Sequence, residues 1–319
     1  MEKFFKGKLV LVTGGAGFIG TNLVRRLLKE GAKVRVLDNF FTGLKENLKD
    51  LDIEIVEGNV ENLEDVYNSL KDIEIVFHLA ARNIIASTKE PYKDFLTNVL
   101  GTINILKACL EKNFKVKKIV YASSVSIYGN AKYLPINEED SKIILNPYAA
   151  SKLSAEAYCS AFFETYGIPI NVVRYSNVYG PYQNPLNPYC GVVSKFITWA
   201  LSGEPILIYG DGEQTRDFTY VEDVVEATLK AATIMPGLTF NIGSGIETSI
   251  NKLAQLIIEL TESKSQILHI EKRDIDDVRR RVLNIEFARR VLRWSPKIDL
   301  YQGLKNTIDW VKSQLALNK

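Results

Sequence analysis

A glycine-rich turn between a buried strand and a helix constrains this fold more than any other part of the sequence. Residues 8–13 form an apolar, largely β-branched run, which is typical of a strand buried on both faces of a parallel sheet. Gly15, Gly17 and Gly20 follow at once with the spacing Gly-x-Gly-x-x-Gly, and apolar residues then recur at helical spacing up to Gly31. A Cβ in this turn would keep a pyrophosphate away from the backbone N–H groups. The pattern therefore predicts a dinucleotide-binding site.

The second predicted strand, residues 33–37, leads into an acidic residue. Asp38 stands 18 positions past Gly20, and Asn39 follows it. A carboxylate at this place can accept hydrogen bonds from both hydroxyls of an adenosine ribose, and it would repel a 2′-phosphate. The sequence therefore predicts NAD as the cofactor and disfavours NADP.

Strands and helices alternate through the first half of the chain. Further strands are predicted at residues 53–56, 75–81 and 118–124, and long helices at 91–112 and 147–166. This alternation predicts the class α/β, with a Rossmann-type doubly wound parallel sheet that binds its ligands at the carboxyl ends of the strands.

The organisation changes after residue 176. A stretch rich in Tyr, Pro and Asn is too irregular for another strand–helix repeat and predicts binding loops. Helices towards the end of the chain predict a smaller α/β cap that binds the substrate. The predicted division is an NAD-binding domain, residues 1–176 with 211–242 partly returning to it, and a substrate-binding cap, residues 177–210 and 243–319.

Composition excludes several classes of function. The 40 basic and 38 acidic residues leave a net charge of +2, so there is no electrostatic reason to expect nucleic acid binding. No apolar run approaches the about 20 residues of a membrane span, and no signal peptide precedes the first strand, so a cytoplasmic protein is expected. The 3 cysteines lack Cys-x-x-Cys spacing and there are only 2 histidines, so no disulfide framework and no metal site is expected. His78 is expected to be a buried, hydrogen-bonded histidine.

A tyrosine and a lysine one helical turn apart are the candidate proton-transfer groups. Tyr148 and Lys152 share one face of the helix predicted at residues 147–166. A free tyrosine has a pKa of about 10, so a basic role near neutrality needs a depression of roughly 3 units, which a nearby lysine charge favours. Alone, such a pair is more often a packed ring beside a solvated charge. Ser123 and Ser124, at the end of the fifth predicted strand, add hydroxyls that can bond a substrate hydroxyl.

Taken together, the motifs resemble the extended short-chain dehydrogenase/reductase family. Within that family the chain is similar to the NAD-dependent nucleotide-sugar epimerases and dehydratases, and most of all to 4-epimerases. The resemblance covers nearly the whole chain and is carried by residues 13–20, Asp38-Asn39, His78-Leu79-Ala80-Ala81, residues 98–104 and 123–129, Tyr148-x-x-x-Lys152, and residues 174–181, 210–223 and 241–245.

The resemblance implies roles for individual residues. It implies that the catalytic residues are Ser124, Tyr148 and Lys152. It implies that NAD is held by Gly14, Gly17, Phe18, Ile19, Gly20, Asp38, Asn39, Asn59, Val60, Leu79, Ala80, Asn98, Ser123, Tyr148, Lys152 and Tyr175. It implies that a nucleotide-diphosphate sugar is met by Ser124, Asn177, Arg216, Arg273 and Arg279. It also implies a homodimer, formed through the helices predicted at residues 91–112 and 147–166.

Family members run several reactions, and the residues after Ser124 help to choose among them. Dehydratases of this family carry a sequence similar to Thr-Asp-Glu at these positions, and decarboxylases carry a glutamate where Ser126 stands. This chain has Ser124-Val125-Ser126 instead. The resemblance therefore implies 4-epimerisation, with UDP-glucose and UDP-galactose as the expected pair. By the resemblance, Arg281 falls at the position that gates bulky N-acetyl groups. Arg82 and Arg281 together leave a sugar carboxylate open instead, so a UDP-N-acetylhexosamine 4-epimerase and a UDP-uronic acid 4-epimerase are the alternatives. Two further functions stay open, a non-catalytic NAD-binding regulator and a one-way NADP-linked reductase, and Asp38 disfavours the reductase.

Overall fold

A parallel sheet forms the centre of the molecule. This computed structural model describes residues 2–111, 115–185, 187, 190–272 and 277–317. The strands in those ranges are β1 (Leu9–Thr13), β2 (Lys33–Asp38), β3 (Glu54–Glu57), β4 (Ile75–His78), β5 (Lys118–Ser124), β6 (Ile170–Tyr175), β7 (Asn177–Tyr179), β8 (Ile206–Tyr209), β9 (Thr215–Tyr220), β10 (Thr239–Ile242), β11 (Glu247–Ser249) and β12 (Ile267–Ile270). Seven of them pair in parallel in the order β10-β6-β5-β4-β1-β2-β3. This is the doubly wound order, so the predicted Rossmann-type α/β fold is confirmed.

Helices cover both faces of the sheet and build the rest of the chain. They are α1 (Glu2–Phe5), α2 (Phe18–Lys29), α3 (Leu63–Leu70), α4 (Ile84–Lys89), α5 (Pro91–Asp94), α6 (Gly101–Glu111), α7 (Pro147–Tyr166), α8 (Val192–Ser202), α9 (Val221–Thr233), α10 (Ile250–Thr261), α11 (Glu286–Leu292) and α12 (Leu300–Leu317). A π-helical segment, Phe95–Leu100, joins α5 to α6. No helix in the described ranges has both the length and the apolar character to cross a membrane.

The apolar run of β1 is explained by burial on both faces of the sheet. Val10 and Val12 belong to the core that includes α2 and α9, whereas Leu11 between them belongs to the core on the opposite face, with α3 and α6. A strand with one wet face would alternate polar and apolar residues, and this strand does not. The consequence is a rigid sheet whose carboxyl edge is open for ligands.

A second group of elements lies around a third core. Strands β7, β9 and β11 form a small sheet, β8 pairs with β12, and helices α8, α10 and α12 supply the apolar side chains between them. Strand β10 joins the main sheet beside β6, in line with a partial return of residues 211–242. The exact division of the chain into two domains stays a prediction, and the separate core supports it.

Candidate active site

The glycine turn lies between the end of β1 and the start of α2. Gly14 has a φ of +70°, and a Cβ there would come within 2.8 Å of the backbone nitrogen of Ala80. A Cβ on Gly20 would come within 2.1 Å of the carbonyl oxygen of Gly14. Helix α2 begins after Gly17 without a side-chain cap. Its first N–H groups are therefore available to an anion at the positive end of the helix dipole.

Asp38 closes the other side of this turn. Its carboxylate accepts hydrogen bonds from the backbone nitrogens of Ala16 at 2.9 Å and Phe40 at 2.8 Å. Burial raises the pKa of Asp38, and the backbone hydrogen bonds from Phe40, Ala16 and Asn39 oppose that shift. Asn39 donates its side-chain amide to Asn59 at 3.0 Å. The acidic residue that was predicted to read an adenosine ribose thus stands at the end of β2, fixed against the glycine turn.

One cleft of about 300 Å³ joins these groups to the tyrosine and the lysine. Most of the residues predicted to hold NAD line it: Gly14, Gly17, Phe18, Ile19, Gly20, Asp38, Asn39, Asn59, Val60, Leu79, Ala80, Ser123, Tyr148, Lys152 and Tyr175. Their individual contacts with the cofactor stay predictions.

Helix α7 carries the candidate proton-transfer pair into the cleft. Its start is fixed by Asn146, whose side-chain oxygen accepts from the backbone nitrogen of Ala149 at 2.9 Å. The Lys152 ammonium lies 6.0 Å from the centroid of the Tyr148 ring and donates to the carbonyl oxygen of Ala122 at 2.8 Å. A phenol and an ammonium thus face the same cavity, as their spacing in the sequence predicts.

The ammonium of Lys152 is buried. Only 3% of the residue is exposed, and this burial lowers the pKa of Lys152 to about 8, against the opposing charges of Asp94 and Glu156. A lysine in this condition can hold a positive charge beside Tyr148 at neutral pH and can also take part in proton transfer.

The two serines at the end of β5 lie side by side in the chain but make different contacts. Ser124 accepts from the backbone nitrogen of Ser126 at 3.2 Å and caps the turn at Val125–Tyr128. Ser123 lines the cleft, and its buried hydroxyl has no hydrogen-bond partner among the described residues. The catalytic role of Ser124 stays a prediction. Ser123 is the serine whose hydroxyl faces the cleft and is left to bond a ligand.

Asn98 does not line the cleft, although a cofactor contact was predicted for it. Its side-chain oxygen accepts from the backbone nitrogen of Arg82 at 2.8 Å. Its amide nitrogen donates to Asp94 at 2.6 Å and to Ser151 at 3.0 Å. In this structure Asn98 ties the π-helical segment to α7 and to the loop after β4.

His78 is a structural residue, as predicted. It is buried, and its ring nitrogens lie 2.7 Å from the Thr13 hydroxyl and 3.0 Å from the Thr102 hydroxyl. Burial, together with the charge of Lys152, lowers the pKa of His78 to about 3, so the ring is neutral. Among the residues that the structure describes, no group of His, Cys, Asp and Glu could hold a metal ion.

Four residues predicted to meet the substrate do not line this cleft, namely Ser124, Asn177, Arg216 and Arg279. Arg216 donates to the carbonyl oxygens of Thr215 and Val278, each at 2.8 Å. Arg279 lines a second cavity of about 460 Å³ and forms an exposed ion pair with Asp211 at 2.8 Å. Asn177 begins β7, and its buried side-chain oxygen has no partner in the described part of the chain. Arg273 lies outside the described residues.

Sequence reasoning missed part of the cleft lining. Phe41, Thr42 and Gly43 follow the end of β2, and Arg82, which the sequence suggested only for the sugar, follows β4 together with Asn83. Their places directly after strands that flank β1 were the signal that could have found them, because ligands of such sheets bind at the carboxyl ends of strands.

The residues present fit NAD. The glycine turn leaves a space that a Cβ would fill, and the N–H groups at the start of α2 can bind the pyrophosphate. Asp38 at the end of β2 suits a ribose that lacks a 2′-phosphate. This fold and this site define a short-chain dehydrogenase/reductase of the extended type. The chain belongs to the NAD dependent epimerase/dehydratase family, whose model matches residues 10–243, and its cofactor is NAD.

Solved structures and curated proteins agree with that assignment. The chain is 38% identical to a UDP-glucose 4-epimerase of Thermotoga maritima solved with UDP-glucose, with a TM-score of 0.92 over 96% of this chain and 99% of that one. It is 36% identical to an epimerase of Methanothermobacter thermautotrophicus, with a TM-score of 0.95 over 99% of this chain and 95% of that one. It is also 36% identical to a UDP-N-acetyl-alpha-D-glucosaminuronate decarboxylase of Bacillus cytotoxicus, over 96% of this chain and 98% of the relative. UDP-glucuronate and UDP-N-acetylglucosamine 4-epimerases are similar as well. The chain is therefore a nucleotide-sugar enzyme of this family.

Proposed function

We propose that this protein catalyses the NAD-dependent 4-epimerisation of a nucleotide-diphosphate sugar, with UDP-glucose and UDP-galactose as the pair. The observation that carries the proposal is the segment that follows β5 and contacts α7, the helix of the tyrosine and the lysine. There Val125 and Ser126 follow Ser124, both buried, and neither is an acid. Elimination of water or carbon dioxide would need additional acid or base groups at this place. Proton exchange with a single hydroxyl needs only the groups that are present.

In the proposed reaction, Tyr148 removes the proton of the sugar 4-hydroxyl. Lys152, which lies one turn further along α7, holds the positive charge that favours the ionised phenol. Ser124 donates a hydrogen bond to the same sugar oxygen. Bound NAD supplies the acceptor and later the donor of hydride. The resulting 4-keto sugar turns its other face to the cofactor, and Tyr148 returns the proton when the hydroxyl is restored.

The uronic acid alternative receives no support from Arg82. Its guanidinium is paired with Glu90 at 2.7 Å and packs against the ring of Phe41, and the residue lines the cleft predicted to hold NAD. Arg281 is 2% exposed. The neutral sugar is therefore the proposed substrate, and an acidic one would have to be recognised by other residues.

A panel of nucleotide sugars tests the proposal. UDP-, dTDP- and CDP-linked neutral, N-acetylated and acidic sugars are incubated with the protein, and the products are resolved by NMR. We expect UDP-glucose and UDP-galactose to interconvert without net reduction of added NAD. Stoichiometric reduction of NAD, or loss of carbon dioxide from a uronic acid, would overturn the proposal.

The variant Tyr148→Phe separates catalysis from binding. Removing the proton-transfer group should lower kcat by about 10²- to 10⁴-fold while NAD stays bound. A regulator without catalytic activity would show no turnover in the unmodified protein on any sugar. Unchanged turnover in Tyr148→Phe would show that another group moves the proton.

A further inference from the structure

Two side chains meet across the cofactor cleft, and sequence reasoning assigned neither of them to the cofactor. Phe41 lies on the loop after β2, and Arg82 lies directly after β4. The guanidinium carbon of Arg82 is 4.4 Å from the centroid of the Phe41 ring, and both residues line the cleft. Since β2 and β4 are the two neighbours of β1, this pair connects the two sides of the groove that opens at the glycine turn.

The Arg82 side of this bridge is held in place. Its guanidinium is paired with Glu90 at 2.7 Å, and Glu90 is also paired with Lys93 at 2.6 Å. Asn98 accepts from the backbone nitrogen of Arg82 at 2.8 Å and donates to its carbonyl oxygen at 3.3 Å. Only 10% of the Arg82 side chain is exposed. The guanidinium therefore has a fixed position next to the cleft.

The Phe41 side is held at both ends of its loop. At one end Asp38 accepts from the backbone nitrogen of Ala16 at 2.9 Å. At the other end Leu44 donates to the carbonyl oxygen of Ala16 at 3.2 Å, and a Cβ on Gly43 would come within 2.8 Å of the carbonyl carbon of Ala16. Phe41 itself is 49% exposed. Its ring is thus not held by the protein core, and it packs against the guanidinium of Arg82.

We propose that Phe41 and Arg82 form a clasp over the cofactor cleft, and that opening of this clasp limits the rate at which NAD leaves. A cation is attracted to an aromatic face, and the attraction is stronger when the cation is desolvated, as the largely buried Arg82 side chain is. In the proposed reaction NAD is oxidised again at the end of each turnover, so the protein does not need to exchange its cofactor. The clasp concerns the family's cofactor alone and does not depend on which sugar is the substrate.

A simpler role for Arg82 makes a different prediction. Its Nε is buried without a hydrogen-bond partner in the described part of the chain, so it could donate to an anionic oxygen of the dinucleotide. As an ordinary ligand, Arg82 would retain NAD without help from Phe41. As half of a clasp, it works only together with Phe41. The two roles differ in whether the effects of two substitutions are independent.

The experiment is a double-mutant cycle on the release of NAD from the loaded protein. Phe41→Ala, Arg82→Ala and the double variant are mixed with an excess of an NAD-specific dehydrogenase and its substrate, and the absorbance of reduced nicotinamide reports each released NAD. We expect each single substitution to raise the release rate about tenfold, as the loss of one cation–π contact would, and the double variant to be no faster than the faster single.

Three outcomes would overturn the clasp. Release from Phe41→Ala within about twofold of the unmodified protein would show that the ring retains nothing, and independent effects that multiply in the double variant would make Arg82 an ordinary ligand. Release from the unmodified protein as fast as the coupling enzyme can follow would mean that NAD is not retained at all. None of these outcomes depends on sugar turnover, so failure of the clasp and failure of the proposed reaction are distinguishable.

Two further variants and one control keep the test independent of folding. Glu90→Gln removes the anchor of Arg82 and should raise release, and Arg82→Lys keeps the charge but loses the planar stack and should do the same. Tyr133→Ala is the matched control, because Lys132 lies 5.2 Å from the Tyr133 ring, which is 66% exposed, and neither residue lines the cofactor cleft. Its release rate should not change.

Discussion

At the scale of single residues, the chemistry depends on an ammonium group held where water does not reach it. Lys152 donates to the carbonyl oxygen of Ala122, and the ring of Tyr121 lies 5.0 Å from its nitrogen. Burial alone would favour the neutral amine. Asp94, itself 2% exposed, is the strongest of the charges that oppose this. A carboxylate outside the cleft thus helps to keep the lysine charged.

Asp94→Asn should therefore change the pH dependence of turnover. The active form of Lys152 is the ammonium, so turnover falls as pH rises through the pKa of Lys152, which is about 8. Loss of the opposing negative charge lowers that pKa further, so the alkaline limb of the kcat profile should move to lower pH by about one unit. Turnover well below pH 7 should change little.

Ser87→Ala is the control for this substitution. It removes the hydroxyl that donates to Asp94 at 2.5 Å, but it keeps the carboxylate charge. Its alkaline limb should therefore move less than that of Asp94→Asn. If Asp94→Asn lowered kcat equally at every pH and left the alkaline limb at its original pH, Asp94 would have a structural role only.

The sequence could predict some of these residues because their relation is local. The spacing of Tyr148 and Lys152 on one helix places both in the cleft, and the glycine turn needs only its own backbone. Arg82 and Phe41 are 41 positions apart in the chain and carry no pattern that links them. Their contact follows from the pairing of β1 with both β2 and β4, which only the tertiary structure shows.

At the scale of elements, α7 is fixed to the sheet by a buried ion pair. Arg174 on β6 and Glu156 on α7 approach to 2.7 Å, with 8% and 7% of their side chains exposed. Arg174 also donates to the hydroxyl of Tyr128 and to the carbonyl oxygen of Glu138, each at 2.7 Å. This network holds the helix of Tyr148 against the strands that line the cleft.

Glu156→Gln should destabilise the protein strongly. It leaves the buried guanidinium of Arg174 without a counter-charge, which typically costs about 3–5 kcal/mol. The measurement is chemical denaturation of the NAD-loaded protein followed by circular dichroism. Glu164→Gln, on the exposed side of the same helix, is the matched control and should change stability by no more than about 0.5 kcal/mol. Equal effects of the two substitutions would rule out a special contribution of the buried pair.

Elements with a buried apolar run were predictable, and short polar ones were not. Strands β1, β2, β4 and β5 are apolar because both faces of the sheet are covered, and their places agree with the sequence pattern. Strand β9, by contrast, reads Thr-Arg-Asp-Phe-Thr-Tyr, and β7 has only three residues. Both owe their conformation to pairing with each other, so their own residues give no signal. The sequence pattern likewise does not distinguish the π-helical segment before α6 from an α-helix.

At the scale of the whole molecule, exposed aromatic residues on adjoining helices mark the surface predicted to form the dimer. Tyr92 is 73% exposed and Phe95 is 49% exposed on the helical segment before α6, and Tyr158 on α7 is 43% exposed. Helices α6 and α7 pack against each other, as do α5 and α7. Large aromatic side chains on adjoining helices are typical of surfaces that bind a protein partner. The homodimer predicted from the sequence would bury this surface.

Substitution of Tyr158 by glutamate tests that prediction. We expect the unmodified protein to sediment as a dimer of the 35.9 kDa chain, and Tyr158→Glu to sediment as a monomer, because the dimer would have to bury an unpaired charge in its interface. Tyr301→Glu is the matched control, since Tyr301 is 50% exposed on α12 and not on this surface, and it should remain dimeric. A monomeric unmodified protein, or a dimer that Tyr158→Glu leaves intact, would contradict the prediction. Since Lys152 is buried and Tyr158 is exposed on the same helix, dimerisation through this surface would hold α7 from its exposed side.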